Sequence, residues 1–265
     1  MYRKLKNIIS HPSFLGMYFM DHLHSIFGWF ISFFILTTLL LALVDMGKVS
    51  IGKNEATRIS DSLIYSGKIN DASFSNSKLT GSYQNIEMEY ARISFNDNAY
   101  MNDKLYDGIT LVFGMENANM YYGNIHLGRV DYKDLSISDF SLEEIRNGNI
   151  LMRQSFEVLV FKSIEAGEVN YRAVCFFYDF FNILIYYLIS LVGCYFLAFL
   201  VNPKIERRFR IKLVLYDTLI YFVFLWFDMA FRAFWLLYVG MAFTLIYTIF
   251  TFTHIRAVRV KGDKK

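Results

Sequence analysis

Four polar side chains interrupt apolar runs that are otherwise long enough to cross a bilayer: Asp179, Asn182, Asp217 and Asp228. Charges in such runs are expensive, and they mark ion paths, proton relays or ion pairs. Each of the three acids falls close to a predicted helix end, where water or a basic partner is within reach. Asp228 and Arg232 stand four residues apart, the spacing of a local ion pair. The reading for all four is therefore structural. Asp21, His22 and His24 raise the question of a metal, but on a helix His22 and His24 point about 200° apart and do not share an ion. His126 and His254 are isolated. No His-Glu-x-x-His, Gly-x-Ser-x-Gly, phosphate-loop or paired-cysteine motif is present. Gly47 to Lys53 has the wrong spacing for a phosphate loop. The two cysteines, Cys175 and Cys194, fall in one predicted helix at a separation of nearly 30 Å, given ~1.5 Å rise per residue, and cannot pair. The expectation is a protein without catalytic residues, cofactor or metal.

The most concentrated charge is basic. Lys204, Arg207, Arg208, Arg210 and Lys212 fall within the eleven residues Asn202 to Lys212, between two apolar runs. Lys and Arg gather on the cytoplasmic side of short membrane loops, so this loop is expected inside and is the candidate partner-binding segment. The amino terminus (Arg3, Lys4, Lys6) and the tail (Arg256, Arg259, Lys261, Lys264, Lys265) carry the same sign, against Arg232 alone in the short opposite turn. Four spans with both termini cytoplasmic satisfy all of these counts.

Composition agrees. The chain has 265 residues, 55% hydrophobic, with 27 Phe and 19 Tyr, an integral-membrane profile. Its formal charge of +3 hides a segregation: residues 45–172 hold 18 acidic and 13 basic side chains, net −5, and the remainder is net +8. No basic patch interleaved with aromatics occurs in the soluble region, so nucleic acid is not an expected partner.

The expected order is a cytoplasmic amphipathic segment 1–25; a span over 26–44; an exported α+β domain over 45–172; a span over 173–201; the basic loop 202–210; spans over 211–229 and 234–255; and a basic cytoplasmic tail 256–265. Within the exported part, Asn54 to Ser66 reads as a helix with Ala56, Ile59 and Leu63 on one face, stopped at Gly67 or continuing the first span outward. Ile86 to Phe95, Ile109 to Phe113 and Met120 to Leu127 read as strands of a short antiparallel sheet. Ser141 to Glu144 spells a capping box, with Gly148 closing a short helix. Ile150 to Ile164 is read as a membrane-proximal helix. Tyr90, Tyr100, Tyr106, Tyr121 and Tyr122 are expected to fill a small β core rather than to stack on sugar rings.

This layout resembles an uncharacterised family of bacterial membrane proteins, some of them labelled maltodextrin utilisation proteins. The echoes are Phe74-Ser75-Asn76-Ser77-Lys78-Leu79, Ile93-Ser94-Phe95-Asn96-Asp97, Asp131-Tyr132-Lys133-Asp134-Leu135, and the basic loop entering Val214-Leu215-Tyr216-Asp217. Where the family has a Gly and a Tyr, this chain has Ser77 and Phe209. The resemblance implies a bacterial plasma-membrane protein with an accessory role near carbohydrate uptake, and ABC transporter subunits as partners; it supplies no catalytic residues.

Three functions compete. The first is a non-enzymatic accessory or scaffold protein bound to another membrane complex and to the lipid bilayer. The second is a transporter or channel subunit that conducts solute as an oligomer. The third is an intramembrane enzyme, which isolated carboxylates support poorly.

Overall fold

The computed structural model describes residues 22–65, 71–82, 84–88, 91–95, 108–233 and 235–255. The predicted amphipathic segment lies mostly outside them, as do the basic tail, Gly67, Tyr90, Tyr100 and Tyr106. The chain divides into two compact units, residues 1–46 with 176–265, and residues 47–175. Helix content dominates, and among the described residues four helices are long and apolar enough to cross a membrane.

In the first unit, α1 spans Leu23–Met46. The later helices, numbered in chain order, are α4 (Ile150–Val201), α5 (Arg207–Asp217), α6 (Leu219–Phe231) and α7 (Leu236–His254). Many of their outward side chains are apolar too, among them Leu39, Leu43, Phe196, Leu200 and Phe250. A helix apolar all round persists only when packed inside protein or in hydrocarbon. The interior is aromatic: the rings of Phe30, Phe33, Tyr187, Phe222 and Trp226 meet at centroid distances of 4.9 to 6.2 Å, and Trp226 Nε1 donates to the Thr37 hydroxyl at 2.7 Å. α6 and α7 approach closely at Gly240, where an added Cβ would lie 2.7 Å from Phe224 Cβ, the small-residue contact that lets helices associate without hydrophobic drive. α5 and α6 meet at Thr218, whose backbone (φ −72°, ψ −11°) stays near helical and whose N–H still reaches the Val214 carbonyl at 2.9 Å. The helix that carries the third apolar run is thus one segment, beginning at Arg207.

The second unit holds α2 (Lys53–Tyr65), separated from α1 by non-helical residues, so it does not extend the first span. Its buried face is Ala56, Ile59, Ser60, Leu63 and Ile64. Five strands follow in the order β3-β4-β5-β6-β7: Gln84–Glu87, Ala91–Phe95, Ile109–Phe113, Asn117–Tyr122 and Ile125–Asp131. A second sheet, β2-β1-β8, joins Lys78–Thr80, Ser73–Ser75 and Phe140–Ser141. Alternation places Ile93, Leu111, Phe113, Ala118 and Met120 on the core face, against α2, the short α3 (Leu142–Arg146) and the early turns of α4.

Several sequence expectations change here. Ile86 to Phe95 and Met120 to Leu127 are not single strands; each turns back on itself, the second at Gly123 with φ +53°. β4 and β5 pair in parallel, so the sheet is mixed, not antiparallel. Ser141 stands at the N-cap of α3 without a side-chain cap bond: it belongs to β8 and pairs with Ser73, which takes it out of the capping box. Gly148 does close that helix, at φ +97°. α4 runs without a break through Arg172. Tyr121 is half-buried with its ring edge-on to His126 (5.1 Å), and Tyr122 is exposed beside Tyr171. The core tyrosine is Tyr132, whose hydroxyl donates to the Gly114 carbonyl at 3.1 Å.

The β1–β2 hairpin turns on Asn76 and Ser77, with φ of +50° and +58°. Two successive positive φ angles define the turn that favours Asn-Gly, since the left-handed region costs a residue with a Cβ about 1 kcal/mol. Ser77→Gly is therefore expected to stabilise the sheet unit by about 1 kcal/mol, read as a rise in its denaturation midpoint. An unchanged or lowered midpoint would refute this account of the turn.

Candidate functional site

The basic loop separates its five cations by role. Lys204, Arg207 and Arg208 are exposed, and Lys212 is half-buried with its ammonium 5.6 Å from the Phe209 ring. Arg210 is only 5% exposed. Its Nη2 donates to the carbonyls of Pro203 (3.1 Å) and Ile205 (2.7 Å), and its guanidinium lies over the rings of Phe199 (4.9 Å) and Tyr195 (5.8 Å). The expectation that all five cations face a partner is corrected for Arg210, which faces inward. Pro203 cannot continue α4, and the carbonyls of the turn that follows, at Pro203 and Ile205, take their donor from Arg210. Asn202 extends the clamp, its Nδ2 donating to the carbonyls of Phe252 (3.4 Å) and Ile255 (3.2 Å) at the end of α7. The exposed cations thus stand on a backbone fixed from beneath.

A second cluster lies among α4, α5 and α7. Asp217 is fully buried, which overturns the expectation that it reaches water or a basic group. Its Oδ1 is 2.8 Å from Thr251 Oγ1, which is also 3.1 Å from the Tyr247 carbonyl. Thr248, close to Asp217 and Cys194, donates its hydroxyl to the Thr244 carbonyl at 3.0 Å. Nearby, Tyr187 and Thr218 share a hydrogen bond of 3.1 Å. Gly240, Thr244, Thr248 and Thr251 fall on one face of α7, a spacing legible in the sequence as a polar stripe; Tyr187, Ser190 and Cys194 do the same on α4.

The remaining polar residues are peripheral. Asp228 forms no ion pair with Arg232, which occupies the left-handed C-cap of α6 (φ +51°). Its carboxylate lies near the backbone of Leu236 and Leu237 at the start of α7. Asp179 and Asn182 are half-buried on α4. His24 and His22 are exposed, and among the described residues no group of three or more His, Cys, Asp or Glu could hold a metal. In the sheet unit, His126 Nε2 is 3.3 Å from Asn119 Oδ1, and Asn119 Nδ2 donates to Asn117 Oδ1 at 2.7 Å, a polar row opposite the core face.

Compared with known protein families, with curated proteins and with solved structures, the chain matches none.

Proposed function

We propose that this chain is a multi-pass protein of a bacterial plasma membrane that works by binding rather than by chemistry. In this reading both termini and the basic loop face the cytoplasm, residues 45–172 lie outside, and Lys204, Arg207 and Arg208 dock the protein on a partner membrane complex. The observation that carries it is the fixed display of those three cations, with Arg210 and Asn202 bonded beneath them. A loop backbone held in place loses little entropy on binding, and its exposed charges steer the encounter with an acidic surface. The family resemblance suggests a carbohydrate uptake system, with ABC transporter subunits as the partner.

Docking is tested by replacing Arg207 and Arg208 together with Glu. Proteins recovered with the full chain from mild detergent should fall by about tenfold or more, since like-charge contacts at an interface cost several kcal/mol. Equal recovery by an inserted, folded double variant would overturn the reading. Orientation is tested separately by cysteine labelling of intact cells at Ser138 and Lys204, both exposed positions, in a chain with Cys175 and Cys194 replaced by Ser. External reagent should reach Ser138→Cys and not Lys204→Cys, and the reverse pattern inverts the topology.

The transporter or channel reading is favoured by the buried polar stripes around Asp217. It predicts solute or ion flux through liposomes holding the purified protein alone, abolished in Asp217→Asn.

A further inference from the structure

The hydrogen-bond pattern around Asp217 is short of one proton. The Thr251 hydroxyl owns a single hydrogen but faces two acceptors, the Asp217 carboxyl and the Tyr247 carbonyl. Both Thr251 contacts become ordinary hydrogen bonds if the carboxyl brings the missing hydrogen. It then donates to a threonine oxygen, and the threonine donates on to the helix carbonyl behind it.

Among the described residues no cation faces the group to hold it as an anion. From α4 comes the Cys194 thiol and from α7 the Tyr247 phenol, neither of them basic. On its own helix, Arg210 is turned to the Pro203 and Ile205 carbonyls. α1, which also packs on α5, carries one basic residue among those described, His24, and that is exposed. Asp217 Oδ2 has no partner at all. A carboxylate so placed costs far more than a neutral acid with one orphaned carbonyl oxygen.

We propose that Asp217 is a proton-binding site: the bundle closes with a hydrogen on this carboxyl, shared with Thr251, and releases it to solvent only when the contact between α5 and α7 opens. The bond made or broken is the O–H of the carboxyl, with the proton exchanged with water.

The full chain in detergent micelles should show, by infrared spectroscopy at neutral pH, the carbonyl stretch of a protonated carboxylic acid that is missing in D217N. Chemical denaturation should show the folding equilibrium of the wild type falling up to tenfold per pH unit on alkalinisation relative to D217N, since the folded state alone retains the proton. Absence of the band in the wild type, or equal pH slopes in the two proteins, would overturn the proposal. Should D217N not fold, Thr251→Val decides: loss of the acceptor must shift the band, and a band that stays put does not belong to Asp217.

Discussion

Replacing Gly128 by valine should cost the sheet unit about 3 kcal/mol, the upper part of the range for overpacking. A Cβ at this position of β7 would sit 2.1 Å from the Ala166 carbonyl oxygen, 2.5 Å from its carbon and 2.8 Å from the Gly167 nitrogen. All three are backbone atoms of α4, so no side chain can swing aside, and the strand or the helix must shift. A neighbouring contact of α4 is softer: a Cβ on Gly167 would lie 2.4 Å from Met120 Sδ on β6, and methionine is adaptable. Gly167→Ala should therefore cost less than Gly128→Val. Asn170 lies one turn further along, its Nδ2 bonded to the Leu127 carbonyl at 2.5 Å. A domain stability of 5–15 kcal/mol makes such a loss visible as faster hydrogen exchange throughout β5, β6 and β7. A Gly128→Val protein within about 1 kcal/mol of the wild type would mean that helix and strand are not held at this distance.

Arg210→Ala should destabilise the helical unit by about 3 kcal/mol, whereas Arg208→Ala should stay within about 0.5 kcal/mol. The two residues stand two positions apart with the same charge, and only their surroundings differ. Truncating Arg210 strips the donor from the carbonyls of Pro203 and Ile205 and removes the cation from Phe199 and Tyr195. Each of the two hydrogen bonds lost is worth about 1 kcal/mol, and the cation–ring contact adds about 1 kcal/mol. Arg208 is exposed. Unfolding of the purified full chain in mixed micelles distinguishes them, and equal losses would remove the inward role given to Arg210. Arg210→Lys should recover only part of the loss, because a point charge does not reproduce a flat guanidinium stacked on rings.

The apolar runs were legible because hydrocarbon-length helices announce themselves by composition, and the α2 face by its Ala56, Ile59 and Leu63 spacing. The sheet was harder to read. Asn76 and Ser77 make a turn without a glycine, so the β1–β2 hairpin carries no turn signal in the sequence. β8 is two residues long, below any periodicity. Parallel pairing of β4 with β5 leaves no local mark, because it depends on contacts distant in sequence. At the basic loop the charge count was plain, but a count treats Arg210 and Arg208 alike, and no local pattern marks which arginine turns back to the carbonyls of Pro203 and Ile205. Asp217 was misread because its distance from a predicted helix end was taken to imply access to water, while threonines at 248 and 251 had already enclosed it.

Ser73 pairs with Ser141 and Phe74 with Phe140, so the first strand of the sheet unit waits for almost the last. A ribosome delivers β1 and β2 early and β8 only after the whole five-stranded sheet has emerged. Until then one side of β1 is an open row of amide and carbonyl groups, ready to capture any extended segment nearby. A nascent chain halted between β7 and β8 should therefore be sticky in a way the finished protein is not, and a holding chaperone would have its natural handle at Phe74.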